Sequence, residues 1–169
     1  MRIELTRDEF LLGAEAGARR HARALALGRV PRYGPPVPLR WAYNVTGAVG
    51  ELAFAKGANL FWLPDDELDK DRGDVGGYQV RATDMDHGSL VLQERDADEE
   101  VFVLMVGQGC HWRIAGWLTG REGKQKRFWR EPPEVPYAAW FVPQSELHAW
   151  PPDNVATSSQ NGQQELDLT

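Results

Sequence analysis

The sequence predicts an α/β fold in which helices flank a mixed, mostly antiparallel sheet of four to five strands. Three observations carry that expectation. Apolar residues recur at helical spacing from Thr6 to about Lys56, the pattern changes to period two from Asp74 onward, and after Trp150 the composition turns to Pro, Asn, Ser and Gln. The chain has 169 residues, 42% hydrophobic and 26% charged, which is enough apolar mass for one core. One domain over residues 1–150 and a disordered tail over 151–169 follow.

Thr6 and Glu9 form a capping box, and Leu11, Ala14, Ala18, Ala22 and Leu25 fall on one stripe, so Thr6–Leu27 reads as a helix. The Pro-rich stretch from Val30 to Pro38 ends it. A second helix runs from about Arg40 to Lys56, stopped by Gly57, with Val45, Val49, Leu52 and Ala53 facing the core. Gly47 and Gly50 are costly inside a helix, which implies a close neighbour there. Tyr78–Arg81, Ser89–Leu92, Val101–Val106 and Trp112–Leu118 alternate as strands and read as consecutive members of one sheet. A short strand over Ala139–Val142 leads into a closing helical turn at Pro143–Leu147.

Composition excludes several classes. No apolar run approaches the roughly 18 residues of a membrane span. The stretch Met1–Glu9 is too charged for a signal peptide. A soluble, cytoplasmic protein with no membrane partner is expected. The single cysteine, Cys110, rules out an intrachain disulfide and a Cys-rich zinc site. His21, His87, His111 and His148 show no metal-ligand spacing, and Trp112, Trp117, Trp129 and Trp140 sit at strand spacing and read as core.

The net charge of −6 hides an uneven distribution. Acid concentrates between Asp65 and Glu100. Base lies before it, at Arg19, Arg20, Arg23, Arg29, Arg32 and Arg40, and after it, at Arg121, Lys124, Lys126, Arg127 and Arg130. Two basic segments converging on an acidic centre suit phosphate chains running past a metal. Of the two, Arg121–Arg130, with Phe128 and Trp129 interleaved, is the better nucleic-acid contact.

The most informative segment is Gly73-Asp74-Val75-Gly76-Gly77-Tyr78-Gln79-Val80-Arg81. If Gly76-Gly77 forms a two-residue hairpin loop, Val75 faces Tyr78 and Asp74 lies opposite Gln79, with Arg81 projecting from the same face. A carboxylate, an amide oxygen and a guanidinium are then clustered. One more carboxylate completes a site for a hard divalent cation, which takes oxygen ligands and keeps waters for a phosphate to displace. Glu51 is that candidate, on a helical strip of small residues with Ala48 and Ala55. Asp71, Asp84 and Asp86 are the substitutes near it in sequence.

These residues resemble the PD-(D/E)XK nuclease superfamily, and in particular small phage-type restriction-endonuclease-like proteins. The match lies in Gly50-Glu51-Leu52-Ala53 on a helix, Asp74, the Gln79-Val80-Arg81 tripeptide, the Leu-Val-Leu strand, Ile114-Ala115-Gly116-Trp117 and Phe141-Val142-Pro143-Gln144, covering roughly Leu39 to Leu147. The resemblance implies metal-dependent phosphodiester hydrolysis of DNA. Glu51, Asp74, Gln79 and a backbone carbonyl, that of Val80, would hold Mg²⁺ or Mn²⁺, and Arg81 would contact the scissile phosphate. Two positions depart from the family: Gln79 stands where an acid is commoner and contributes no charge, and Arg81 stands where lysine is usual and cannot lose its proton. A catalytically inactive nucleic-acid-binding member of the same fold is therefore the alternative reading.

The last residues, Gln163-Gln164-Glu165-Leu166-Asp167-Leu168-Thr169, resemble the Q-x-x-L-x-L/F peptide with which bacterial proteins dock on the sliding clamp. That implies Leu166 and Leu168 in an apolar pocket and Gln163 hydrogen-bonded at its edge. A third reading follows, a phage or host interaction protein whose task is to occupy the clamp. DNA, the clamp and a second copy of the chain in a homodimer are the expected partners.

Overall fold

The computed structural model describes residues 1–28, 39–64, 73–132 and 138–152. In chain order they form β1 (Arg2–Glu4), α1 (Arg7–Ala26), α2 (Arg40–Ala58), β2 (Tyr78–Thr83), β3 (Leu90–Leu92), β4 (Val101–Gln108), β5 (His111–Thr119), the short α3 (Gly120–Gly123), β6 (Trp129–Arg130) and β7 (Ala139–Val142). Single 3-10 turns at Lys126–Phe128 and Gln144–Glu146 complete them.

The capping box forms as the sequence predicts. The Thr6 hydroxyl accepts from the Glu9 backbone N–H at 3.2 Å, and the Glu9 carboxylate accepts from the Thr6 N–H at 2.6 Å. The same Glu9 oxygen accepts from Lys56 Nζ at 2.6 Å, which ties the start of α1 to the end of α2 and holds the Glu9 carboxyl below its usual range.

The face of α1 that packs is not the one its leucines mark. Leu11 and Leu25 are 51% and 65% exposed, while Gly13, Ala16 and Gly17 are buried. Gly13 lies against Val49 and Gly17 against Asn44 and Val45, so the two helices run antiparallel. A Cβ at Gly17 would sit 2.6 Å from the Asn44 carbonyl oxygen and from Val45 Cα. Backbone-to-backbone approach of this kind needs the small strip inward, and the leucines turn out as a consequence.

Helix α2 passes through Gly57 and stops two residues later. Asn59 takes the left-handed conformation (φ 55°, ψ 45°), and its N–H bonds back to the Ala55 and Lys56 carbonyls. Gly50 meets the neighbour its cost implies, since a Cβ there would lie 2.5 Å from that of Ala82 on β2, but Gly47 does not: a Cβ there would meet nothing within 4 Å among the described residues.

The strands do not make one sheet. A four-stranded sheet has the order β1-β5-β4-β2, antiparallel except for a parallel β2–β4 pair in which Gln79 faces Phe102. A three-stranded antiparallel sheet has the order β3-β7-β6. The expectation of consecutive neighbours in a single sheet is corrected here, and the reason lies in β4. Its run Val101-Phe102-Val103-Leu104-Met105-Val106 is buried on both faces. Val103 and Met105 pack with Val49, Leu52, Phe54, Trp112 and Ile114 beneath the helices. Phe102, Leu104 and Val106 pack with Leu90, Leu92, Leu118, Phe128 and Val142 beneath the small sheet. A strand apolar on both sides needs cover on both sides, and β3 supplies the second cover instead of continuing the first sheet.

The chain closes over this frame through paired contacts. Trp117 and His148 exchange backbone hydrogen bonds, and His148 Nε2 lies 2.7 Å from Glu122. The Trp150 ring meets those of Phe54 and Tyr78 edge to face at 5.0 and 5.4 Å. Among the described residues no helix is long and apolar enough to cross a membrane.

Candidate active site

The turn before β2 builds the first half of the site. Gly76 and Gly77 both take positive φ (56° and 88°), and Val75 pairs with Tyr78 as the two-residue loop requires. One step further the ladder stops. Asp74 does not pair with Gln79; its N–H donates to the Tyr78 carbonyl at 2.8 Å, and its Oδ2 accepts from the Val80 N–H at 2.8 Å. Since β2 is an edge strand among the described residues, the carboxylate satisfies a backbone donor that none of the described strands reaches. In an extended strand the N–H and C=O of one residue point to the same side, so the Val80 carbonyl faces the same open edge.

Glu51 comes from α2 and is 7% exposed, between the buried Ala48 and Ala55 of its strip. Its two oxygens accept a bidentate pair from Arg20, Nη1 to Oε1 at 2.6 Å and Nη2 to Oε2 at 2.8 Å, and Trp62 Nε1 lies 3.3 Å from Oε2. Arg20 and Glu51 are far apart along the antiparallel helix pair, and side-chain direction closes the gap. Side chains tilt toward the N-terminus of their own helix, so Arg20 leans back along α1 and Glu51 back along α2 until they meet.

Asp74 and Glu51 sit in one electrostatic neighbourhood. Only 33% of the Asp74 side chain is open to solvent. Desolvation raises its pKa above the ordinary aspartate value, and repulsion from Glu51 adds to the rise; the Val80 N–H, Arg81 and Arg20 pull it down without cancelling the effect. Like charges converging from a helix and a turn are the arrangement a cation relieves.

Gln79 and Arg81 project from the same face of β2 toward acids in the segment before β4. Gln79 Nε2 donates to Glu100 Oε1 at 2.9 Å. Arg81 Nη2 lies 3.2 Å from both oxygens of Asp96, its Nη1 is 4.0 Å from Asp74, and its guanidinium stands over the Phe102 ring. Asp96 is itself buried and accepts from the Gln93 N–H at 2.9 Å. The site is thus two runs of alternating charge, Arg20–Glu51 and Asp74–Arg81–Asp96, that meet at the like charges of Glu51 and Asp74. Reading the sequence for ligands did not find Arg20, Asp96 and Glu100 as members of it. The available signal for Arg20 was its place on the Gly13-Ala16-Gly17 strip.

The remaining candidates divide. Asp84 and Asp86 are exposed beyond the C-terminal end of β2, the end away from Asp74; the Asp86 carbonyl accepts from Arg113 and Gln144. In the basic segment Arg121 pairs with Glu99, Lys124 with Asp98 at 3.2 Å, and Arg127 with Glu146 at 2.8 Å, while Arg130 donates to the Trp129 carbonyl and Lys126 is exposed. Lys124 also donates to the Asp96 carbonyl, which joins this segment to Arg81. Asp71, Gln163, Leu166 and Leu168 lie outside the described residues.

Among the described residues no three His, Cys, Asp or Glu side chains converge as a metal-binding group. A Mg²⁺ centre does not need three: it is commonly held by one or two carboxylates, with water and substrate oxygens completing the shell. Asp74, Glu51 and the Val80 carbonyl fit that donor chemistry. No protein-family model matches the chain, and comparison with characterised proteins and with solved structures gave no match.

Proposed function

We propose that the chain is a Mg²⁺- or Mn²⁺-dependent DNA nuclease of the PD-(D/E)XK type, with a restriction-endonuclease-like arrangement of its helices and mixed sheet. The observation that carries this reading is the part-buried Asp74 carboxylate, whose pKa desolvation and the nearby Glu51 raise, at the edge of β2 toward which the Val80 carbonyl faces. Asp74 and Glu51 bind the cation with the Val80 carbonyl. When bound, the ion supplies positive charge at the phosphate and lowers the pKa of a water. Arg81 donates to a non-bridging phosphate oxygen and stabilises charge as it develops. Gln79 orients Glu100 and adds no charge to the site. The segment Arg121–Arg130 tracks the nucleic-acid backbone, and Gln163, Leu166 and Leu168 dock the chain on the sliding clamp.

A second reading, a nucleic-acid-binding protein of this fold without catalysis, draws on a specific observation. Both arginines of the site already neutralise its acids, Arg20 on Glu51 and Arg81 on Asp96. Incubation with supercoiled plasmid and with single-stranded, duplex and branched oligonucleotides in Mg²⁺ or Mn²⁺ separates the two. Cleavage that falls at least ~100-fold in both Asp74→Ala and Glu51→Ala supports the nuclease. Binding without cleavage in either metal leaves the second reading, and cleavage unaffected by both substitutions rejects this site.

A further inference from the structure

We infer that Asp96 is a positioning residue that holds the Arg81 guanidinium by one nitrogen and leaves the other for a substrate phosphate, an inference that rests on the phosphate contact proposed for Arg81 above. Asp96 and Glu51 are the two buried acids among the described residues. The Asp96 side chain is 7% exposed, and its two oxygens each lie 3.2 Å from Arg81 Nη2. Nη1 is left at 4.0 Å from Asp74 Oδ2, beyond hydrogen-bond reach, and the Arg81 side chain keeps 29% of its surface open. The Phe102 ring lies beneath the guanidinium and supports it. One end of the fork is therefore occupied, and the other stands at the edge that carries Asp74.

Asp96 is held in its turn. Its N–H donates to the Gln93 carbonyl at 3.1 Å, its Oδ2 accepts from the Gln93 N–H at 2.9 Å, and its carbonyl accepts from Lys124 Nζ. Side chain and main chain thus fix the carboxylate before any substrate arrives, and Arg81 loses little further freedom on meeting a phosphate. The same arrangement gives arginine a purpose at this position. A lysine carries one compact ammonium, which must choose between Asp96 and the phosphate, whereas a guanidinium has donors for both at once. The residue that departs from the resembled family therefore has an acid that matches it.

Binding of a labelled oligonucleotide to the full-length protein, followed by fluorescence anisotropy in EDTA over a range of salt, tests this role without turnover or added metal. Arg81→Ala is expected to weaken binding about tenfold and to lower the salt slope by about one. Asp96→Asn keeps an oxygen for the Gln93 N–H and removes the charge. Loss of an acid beside a phosphate site would by charge alone tighten binding. The positioning role requires instead that Asp96→Asn bind about fivefold more weakly, with no additional loss when it is combined with Arg81→Ala. Equal or tighter binding by Asp96→Asn overturns the inference, as does a loss that adds in full to that of Arg81→Ala. Should Asp96→Asn fail to fold, Arg81→Lys leaves Asp96 in place and keeps the charge. It is expected to bind about fivefold more weakly than wild type, and wild-type affinity overturns the inference. Wild-type protein that binds no oligonucleotide rejects the phosphate contact and the inference with it, whereas this pattern of binding without cleavage in Mg²⁺ or Mn²⁺ removes the nuclease reading alone.

Discussion

Asp74 shows what burial and a neighbouring like charge do to the folded state that carries them. Its pKa is raised by desolvation first and by Glu51 second, so the folded protein binds its proton more tightly than the unfolded chain does. Stability therefore falls as pH rises from the ordinary aspartate value through the folded one, and the penalty is complete above the folded value. Asp74→Asn keeps an oxygen for the Val80 N–H and removes the charge. In metal-free buffer at pH 7 it is expected to melt on the order of 2 °C higher than wild type, a figure discounted for the partial exposure of the group. The gap should close as pH falls toward 4, as followed by circular dichroism; a less stable Asp74→Asn would show that the carboxylate serves the fold. The two acids and the Gln79-Val80-Arg81 tripeptide were legible because they depend on local register and helical spacing. Arg20, Asp96 and Glu100 were not, because their partners lie 31, 15 and 21 residues away and meet only through packing.

At the scale of elements, the α1–α2 contact decides where Glu51 and Arg20 stand. A hydrophobicity pattern assigns Leu11 and Leu25 to the core, yet the smaller residues Gly13, Ala16 and Gly17 are buried, since they let two backbones touch. Gly17→Ala tests that contact. Its Cβ would lie 2.6 Å from backbone atoms of Asn44 and Val45, which cannot move as a side-chain tip can. The substitution is expected to cost roughly 2 kcal/mol in urea unfolding, despite alanine's better helix propensity. A stabilised Gly17→Ala would mean the helices are free to separate. Helices α1 and α2 and five of the seven strands among the described residues were legible from their periodicity; the four-residue α3 was not. Strands β1 and β6, three and two residues long, carry too little pattern to read. Their partners, and the parallel β2–β4 pair, were hidden because alternation reports which face is buried and says nothing of which strand lies alongside.

For the whole molecule, Trp150 is the last ring that the described residues pack into the core. Its ring closes an aromatic group with Phe54 and Tyr78, at the start of the strand that carries Gln79 and Arg81. Among the described residues, both hydrophobic clusters draw on nothing beyond it. A chain stopped after Pro152 should therefore melt within about 1 °C of the full one and cut oligonucleotides at the same rate, whereas Trp150→Ala, in the full chain, should lose roughly 2 kcal/mol. The proposed docking peptide gives the truncation its second readout. Removing residues 153–169, or replacing Gln163, Leu166 and Leu168 together by alanine, should abolish capture by an immobilised bacterial sliding clamp while leaving the nuclease rate on free oligonucleotides intact. The two losses must come apart if the chain divides its work in this way: stability and chemistry follow Trp150, recruitment follows Leu166 and Leu168. A truncated chain that loses stability or cleavage would place part of the domain beyond Pro152. One that still binds the clamp would move the docking surface onto the domain itself.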